Sequence, residues 1–226
     1  MNTAKPTRGS ARPLPDYTPG EEMANSLSHG VGIAFGIFAL ILCVAAAGES
    51  GIAFGIPAAV LYGAALIALY ATSSVYHVLP RNAGKRIMRV IDHCMIYFLI
   101  AGTYTPILVC SIMPLYPVVG GILFAVVWGC AALAVTFTAI DLKKYAVLSM
   151  VCYICMGWCI LPVAGIAVEA LTLPGFLWVL AGGIAYTIGA VLYGIGKKRR
   201  YMHSVFHVFV VLGSILQFVG ILLYVL

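Results

Sequence analysis

The chain is a succession of long apolar runs separated by short polar breaks. Seven runs can be drawn, at roughly 26–47, 52–79, 88–111, 117–139, 145–168, 173–196 and 203–225. Each reaches the ~20 residues that a helix needs to cross the hydrocarbon core of a bilayer. Pro57, Pro106 and Pro162 lie inside runs, where neighbouring helices can satisfy the carbonyls that a proline frees. The pattern predicts an all-α fold, a seven-transmembrane helix bundle formed by residues 21–226. Residues 1–20 are rich in proline, glycine and basic side chains, cannot bury a core, and read as a disordered tail. Run one ends Ala45-Ala46-Ala47-Gly48, which looks like a signal-peptidase site. Its apolar length exceeds the ~7–15 residues of a signal h-region, so the helix is read as retained.

Composition agrees: 63% of the 226 residues are hydrophobic and only 9% are charged, too apolar for a soluble domain. The net charge of +6 does not point to nucleic acid, because no basic patch alternates with exposed aromatics. The charges instead orient the bundle. Lys5, Arg8 and Arg12 precede run one; Arg81, Lys85, Arg86 and Arg89 join runs two and three. Lys143 and Lys144 join runs four and five, and Lys197, Lys198, Arg199 and Arg200 join runs six and seven. The remaining loops and the C-terminus hold no Lys or Arg. The asymmetry predicts a cytoplasmic N-terminus and a C-terminus outside. That orientation excludes a G-protein-coupled receptor, and the lack of a lysine deep in a run excludes a retinal protein. The seven cysteines are scattered as small buried residues rather than as a disulfide framework.

On this topology all five histidines fall in one leaflet. His77 ends run two, His93 begins run three, His203 and His207 begin run seven, and His29 lies near the start of run one. His203 and His207, four residues apart, share a helical face. Asp92 is read as the one acid inside an apolar run, the other six, Glu21 and Glu22 among them, being assigned to the tail or loops. A carboxylate there needs a cation or metal nearby. Three neutral imidazoles and a water make a catalytic-type zinc site, and His77, His203 and His207 are the candidate ligands. Where a zinc protease helix carries Glu in His-Glu-x-x-His, this chain has Ser204, so a base must come from another helix. Asp92 is the candidate, as partner of a ligand or as proton acceptor. Ser73, one turn before His77, is the candidate donor to a developing oxyanion. His29 and His93 read as interfacial residues meeting headgroups. Bis-histidine haem ligation is a minor alternative. Cys152 and Cys155 read as packing, as do the small residues of Gly182–Gly189, which let run six approach a neighbour closely. Thr103, Tyr104, Thr105 and Pro106 are expected to bend run three and satisfy its backbone.

The stretches Glu22-Met-Ala-Asn25-Ser-Leu-Ser28-His29-Gly30, Ser73-Ser-Val-Tyr-His77, Arg89-Val-Ile-Asp92-His93, Ala101-Gly-Thr-Tyr-Thr-Pro106 and His203-Ser-Val-Phe-His207 together resemble the bacterial hemolysin III family. That family is the prokaryotic branch of the progestin and adipoQ receptor proteins, with alkaline ceramidases as more distant relatives. The resemblance implies a multi-pass protein of the bacterial cytoplasmic (inner) membrane. It also implies zinc on His77, His203 and His207, with Asp92 holding the water and Ser73 as the superfamily's serine. The relatives suggest hydrolysis of a membrane lipid at an amide or ester. Two alternatives stay open: a non-enzymatic lipid-sensing or membrane-homeostasis protein, and a lytic factor, each with a structural zinc. No long amphipathic helix or barrel pattern marks a pore-former.

Overall fold

The computed structural model describes residues 14–196 and 199–226. Residues 1–13, most of the stretch read as a tail, lie outside them; 14–18 are described and non-helical, and Pro19 already belongs to the first helix. The described residues form an all-helical protein containing six helical stretches long and apolar enough to cross a membrane. We label its helices α1 (Pro19–Ser50), α2 (Gly55–Val78), α3 (Ala83–Leu115), α4 (Pro117–Ile140), α5 (Ala146–Trp158), α6 (Ala164–Gly196) and α7 (Met202–Tyr224).

Helix α1 starts seven residues before its apolar run because a strong cap is encoded there. Thr18 accepts from the Glu21 N–H, the Thr18 N–H and hydroxyl donate to Glu21 Oε2 at 2.9 and 2.8 Å, and Pro19 occupies the first helical position. The early start moves Glu21 and Glu22 from the tail into a helix. Its buried face reads Glu21, Asn25, His29, Gly32, Gly36, Ala39, Cys43, Ala47, with steps of three and four. The polar third of that stripe meets α2 and α7, and the small-residue remainder packs on α2.

Helix α3 is the most enclosed of the spans. After Pro106, which has no N–H for the ladder, its hydrogen bonding widens to π-helical over Ile107–Ile112. Thr103 and Thr105 donate back to Leu99 O and Ala101 O at 2.8 Å, and Tyr104 donates to Gly157 O near the end of α5. The backbone satisfaction expected of these residues is present. Runs five and six differ from expectation. They lie in one helical stretch, Ala146–Gly196, of 51 residues. It passes from α5 to α6 through a 3₁₀ turn at Leu161–Val163, and α6 carries a non-helical break at Thr172 (φ 62°, ψ 162°).

Helices α6 and α7 pack along their length. A Cβ on Gly182 would come within 2.4 Å of Gln217 Cγ and 2.8 Å of Gly213 O. Only glycine permits that approach. All seven cysteines are free thiols.

Candidate metal centre

One end of the bundle gathers the start of α1, the end of α2, and the starts of α3 and α7. His77 comes from the last turn of α2, while His203 and His207 face it from the first two turns of α7. Ring centroids are 5.1 Å apart for His77–His203, 5.2 Å for His77–His207 and 4.4 Å for His203–His207. One nitrogen from each ring lies within 4.8 Å of the other two. Zinc–nitrogen bonds of 2.0–2.1 Å at tetrahedral angles need nitrogens ~3.4 Å apart, so small side-chain movements close the site.

Two of the three rings have their far nitrogen already engaged. His77 Nδ1 lies 2.6 Å from Glu22 Oε2, and His207 Nδ1 lies 3.1 Å from the Asn25 carbonyl oxygen. Metal-binding histidines hold their far N–H in this way, which fixes the tautomer and aims the other nitrogen inward. His77 Nε2 and His203 Nδ1 are buried without a hydrogen-bond partner among the described residues. Buried imidazole nitrogens left unpaired are costly, and a divalent cation satisfies all three rings at once. The donor set fits a metal ion, and among the described residues it is the one His/Cys/Asp/Glu group close enough to share one. Cys152 and Cys155 do not join it.

Helix α1 contributes more than the sequence suggested. Glu22, read as an acid of the tail or loops, spans two partners: His77 through Oε2 and the Lys85 ammonium through Oε1 at 2.8 Å. Lys85, read as a topology charge, is 3% exposed. Its ammonium also donates to His77 O and Leu79 O at 3.1 and 3.0 Å, closing the C-terminus of α2. Asn25, fully buried, accepts from the Ser204 hydroxyl at 2.6 Å. Ser204 is thus turned to α1. His29 corrects an expectation. Far from meeting headgroups, it is buried, stacked on His207 at 3.6 Å and 10°, with Tyr70 edge-on at 5.1 Å. His93 is partly exposed, and its Nδ1 donates to Arg89 O at 2.8 Å. The missed signal was the Glu21, Asn25, His29 spacing, one helical stripe that runs on without interruption into the small-residue face, with Glu22 at its edge.

A cavity of about 700 Å³ adjoins the cluster. Its polar wall includes Ser73, Asp92, His203 and His207, and its deeper wall is mainly apolar, reaching Trp158 and Gln217. Asp92 is 8% exposed, and the buried Ser73 hydroxyl lies near it without closing a well-formed hydrogen bond. Leu14 and Pro15 reach the same cavity, and Tyr17 stacks on His203 at 5.3 Å and 14°. Arg81 fastens this segment, donating to Pro15 O and Asp16 Oδ1 at 3.0 and 3.1 Å. Burial pushes the Tyr17 phenol above its ordinary value.

Apolar helices of spanning length, with a buried three-histidine cluster at one end, define a multi-pass membrane protein with a candidate metal centre. Residues 17–218 match the family described as Haemolysin-III related, and the chain belongs to that family. It is 36% identical to Hemolysin-3 of Bacillus cereus over 91% of this chain and 92% of that protein. It is 35% identical to the Hemolysin-3 homolog of Bacillus subtilis (strain 168), over 92% and 96%. The human Monocyte to macrophage differentiation factor is 26% identical over 71% of this chain and 67% of its own. No solved structure gives a significant match.

Proposed function

We propose that the protein is a zinc-dependent hydrolase acting on a membrane lipid at an amide or ester bond. In this reading it crosses the bacterial cytoplasmic membrane seven times, with its N-terminus in the cytoplasm and its C-terminus outside. The 51 residues of Ala146–Gly196 would extend ~77 Å as one rod, against a hydrocarbon core of ~30 Å. The break at Thr172 divides them into two crossings. The histidine-bearing end also collects the Lys and Arg side chains of the described loops, which favours the cytoplasmic side.

The observation that carries the chemical reading is the meeting of three oriented imidazoles beside a cavity walled by Ser73 and Asp92. His77, His203 and His207 hold the zinc, which when bound supplies a Lewis acid that polarises a carbonyl and acidifies water. Asp92 takes up the proton that water loses as its oxygen bonds the carbonyl carbon, and returns it to the nitrogen or oxygen that departs as the amide or ester bond breaks. Ser73 donates to the oxygen that gains charge. The apolar depth of the cavity takes the lipid's hydrocarbon and keeps bulk water from the reacting bond.

Metal analysis of the purified protein is expected to return about one zinc per chain, lost in His203→Ala and His207→Ala; a metal-free wild type refutes the reading. Asp92→Asn is expected to keep zinc and lose roughly 10²–10⁴-fold in turnover of a lipid pool. If lipid turnover and the membrane phenotype survive Asp92→Asn unchanged, the zinc is structural and the protein is a sensor or lytic factor.

A further inference from the structure

The sequence motifs provide three imidazoles but no account of how a divalent charge is tolerated below the headgroups. Neutral ligands leave that charge uncompensated, and Asp92 lies outside the group of atoms close enough to share an ion. Glu22 is the carboxylate in direct contact with a ligand. It is held on two sides, by His77 Nδ1 at 2.6 Å and by the Lys85 ammonium at 2.8 Å. Lys85 is itself fixed by two carbonyls of the α2 terminus and by the Tyr76 ring 5.1 Å away.

We infer that Glu22 is a positioning residue of the metal centre and that Lys85 is the resident cation against which the metal competes for it. This rests on His77, His203 and His207 binding zinc. The Glu22 carboxylate accepts the His77 N–H, which keeps Nε2 free to face the ion and makes it a stronger donor. The same carboxylate sets a negative charge against the far side of a ligand ring, at His77 Nδ1. Lys85 works in both directions. Its contacts hold the Glu22 side chain in place, yet its positive charge, one carboxylate away from a ligand, opposes the arriving cation. Two neighbouring residues on two helices therefore set zinc affinity with opposite signs.

Opposite signs make the test sharp, and its readout is binding, not catalysis. Zinc dissociation constants are measured on the full-length detergent-solubilised protein by competition with a chromogenic chelator. Glu22→Gln keeps the side chain's shape and an acceptor oxygen but loses the charge, and should weaken zinc about 10–100-fold. Glu22→Asp restores the charge and should recover part of that loss. Lys85→Gln keeps a donor for the His77 and Leu79 carbonyls without the positive charge, and should tighten zinc about tenfold or more. Lys85→Met, which keeps the apolar stem, provides the same readout should the glutamine variant fold poorly. Glu49→Gln, an exposed acid at the opposite end of α1, should change nothing. Zinc held equally well by Glu22→Gln, or held no tighter by both Lys85 variants, overturns the inference while leaving the metal centre standing. A wild type that binds no zinc overturns the metal centre and this inference together.

Discussion

Asn25 joins α1 to α7 through two of its atoms, its side-chain oxygen taking the Ser204 hydroxyl and its backbone oxygen facing His207 Nδ1. Asn25→Leu preserves the backbone contact and bulk but strands the Ser204 hydroxyl in a closed interface. The expected cost is about 1–3 kcal/mol, seen as a lower unfolding temperature in detergent with zinc stoichiometry retained. At this scale the sequence was informative about ligands and silent about their supports. A histidine deep in an apolar run is conspicuous, whereas Glu22 and Asn25 sit where the hydropathy profile is still polar. Only the early cap at Thr18 turns them into residues of a helix face, and that cap is written in Thr18-Pro19-Gly20-Glu21.

Among the helices, the break at Thr172 is the sharpest local feature. A β-branched residue at φ 62° and ψ 162° occupies backbone space that glycine enters without penalty, and strain of this kind costs about 1–3 kcal/mol. Thr172→Gly should therefore raise the unfolding temperature and leave zinc content unchanged. The opposite sign is expected at Gly182, where Gly182→Ala drives a methyl into Gln217 and the Gly213 carbonyl. A loss of about 1–3 kcal/mol follows, because backbone on the far side cannot yield as a flexible side chain would. The small residues of Gly182–Gly189 pointed to a close neighbour of α6, which the structure shows to be α7, and hydropathy placed a loop where Thr172 interrupts the helix. It missed the 3₁₀ turn at Leu161–Val163, because Pro162 within an apolar run looks the same whether the helix continues or tightens. It also missed the π-helical turn after Pro106, whose cause is a lost N–H and not a change in hydrophobic period.

For the molecule as a whole, the gathering of polar side chains at one end was legible, since helix length alone fixes which residues share a level. The cavity was not, because its walls come from α2, α3, α5, α6 and α7 and depend on how those helices splay. Enzyme reporters active only outside the cytoplasm should light up when fused at Leu226 and stay dark in the Lys143–Lys144 loop; the reverse pattern would invert the proposed orientation. Tyr17 has a practical meaning for anyone handling the protein. Its ring sits on His203 and is carried by a chain segment that Arg81 fastens, so Tyr17→Ala should speed stripping of zinc by a chelator several-fold. Purification handles attached upstream, or trimming back to the first helix, would then tamper with the very stopper that keeps the ion from leaching away.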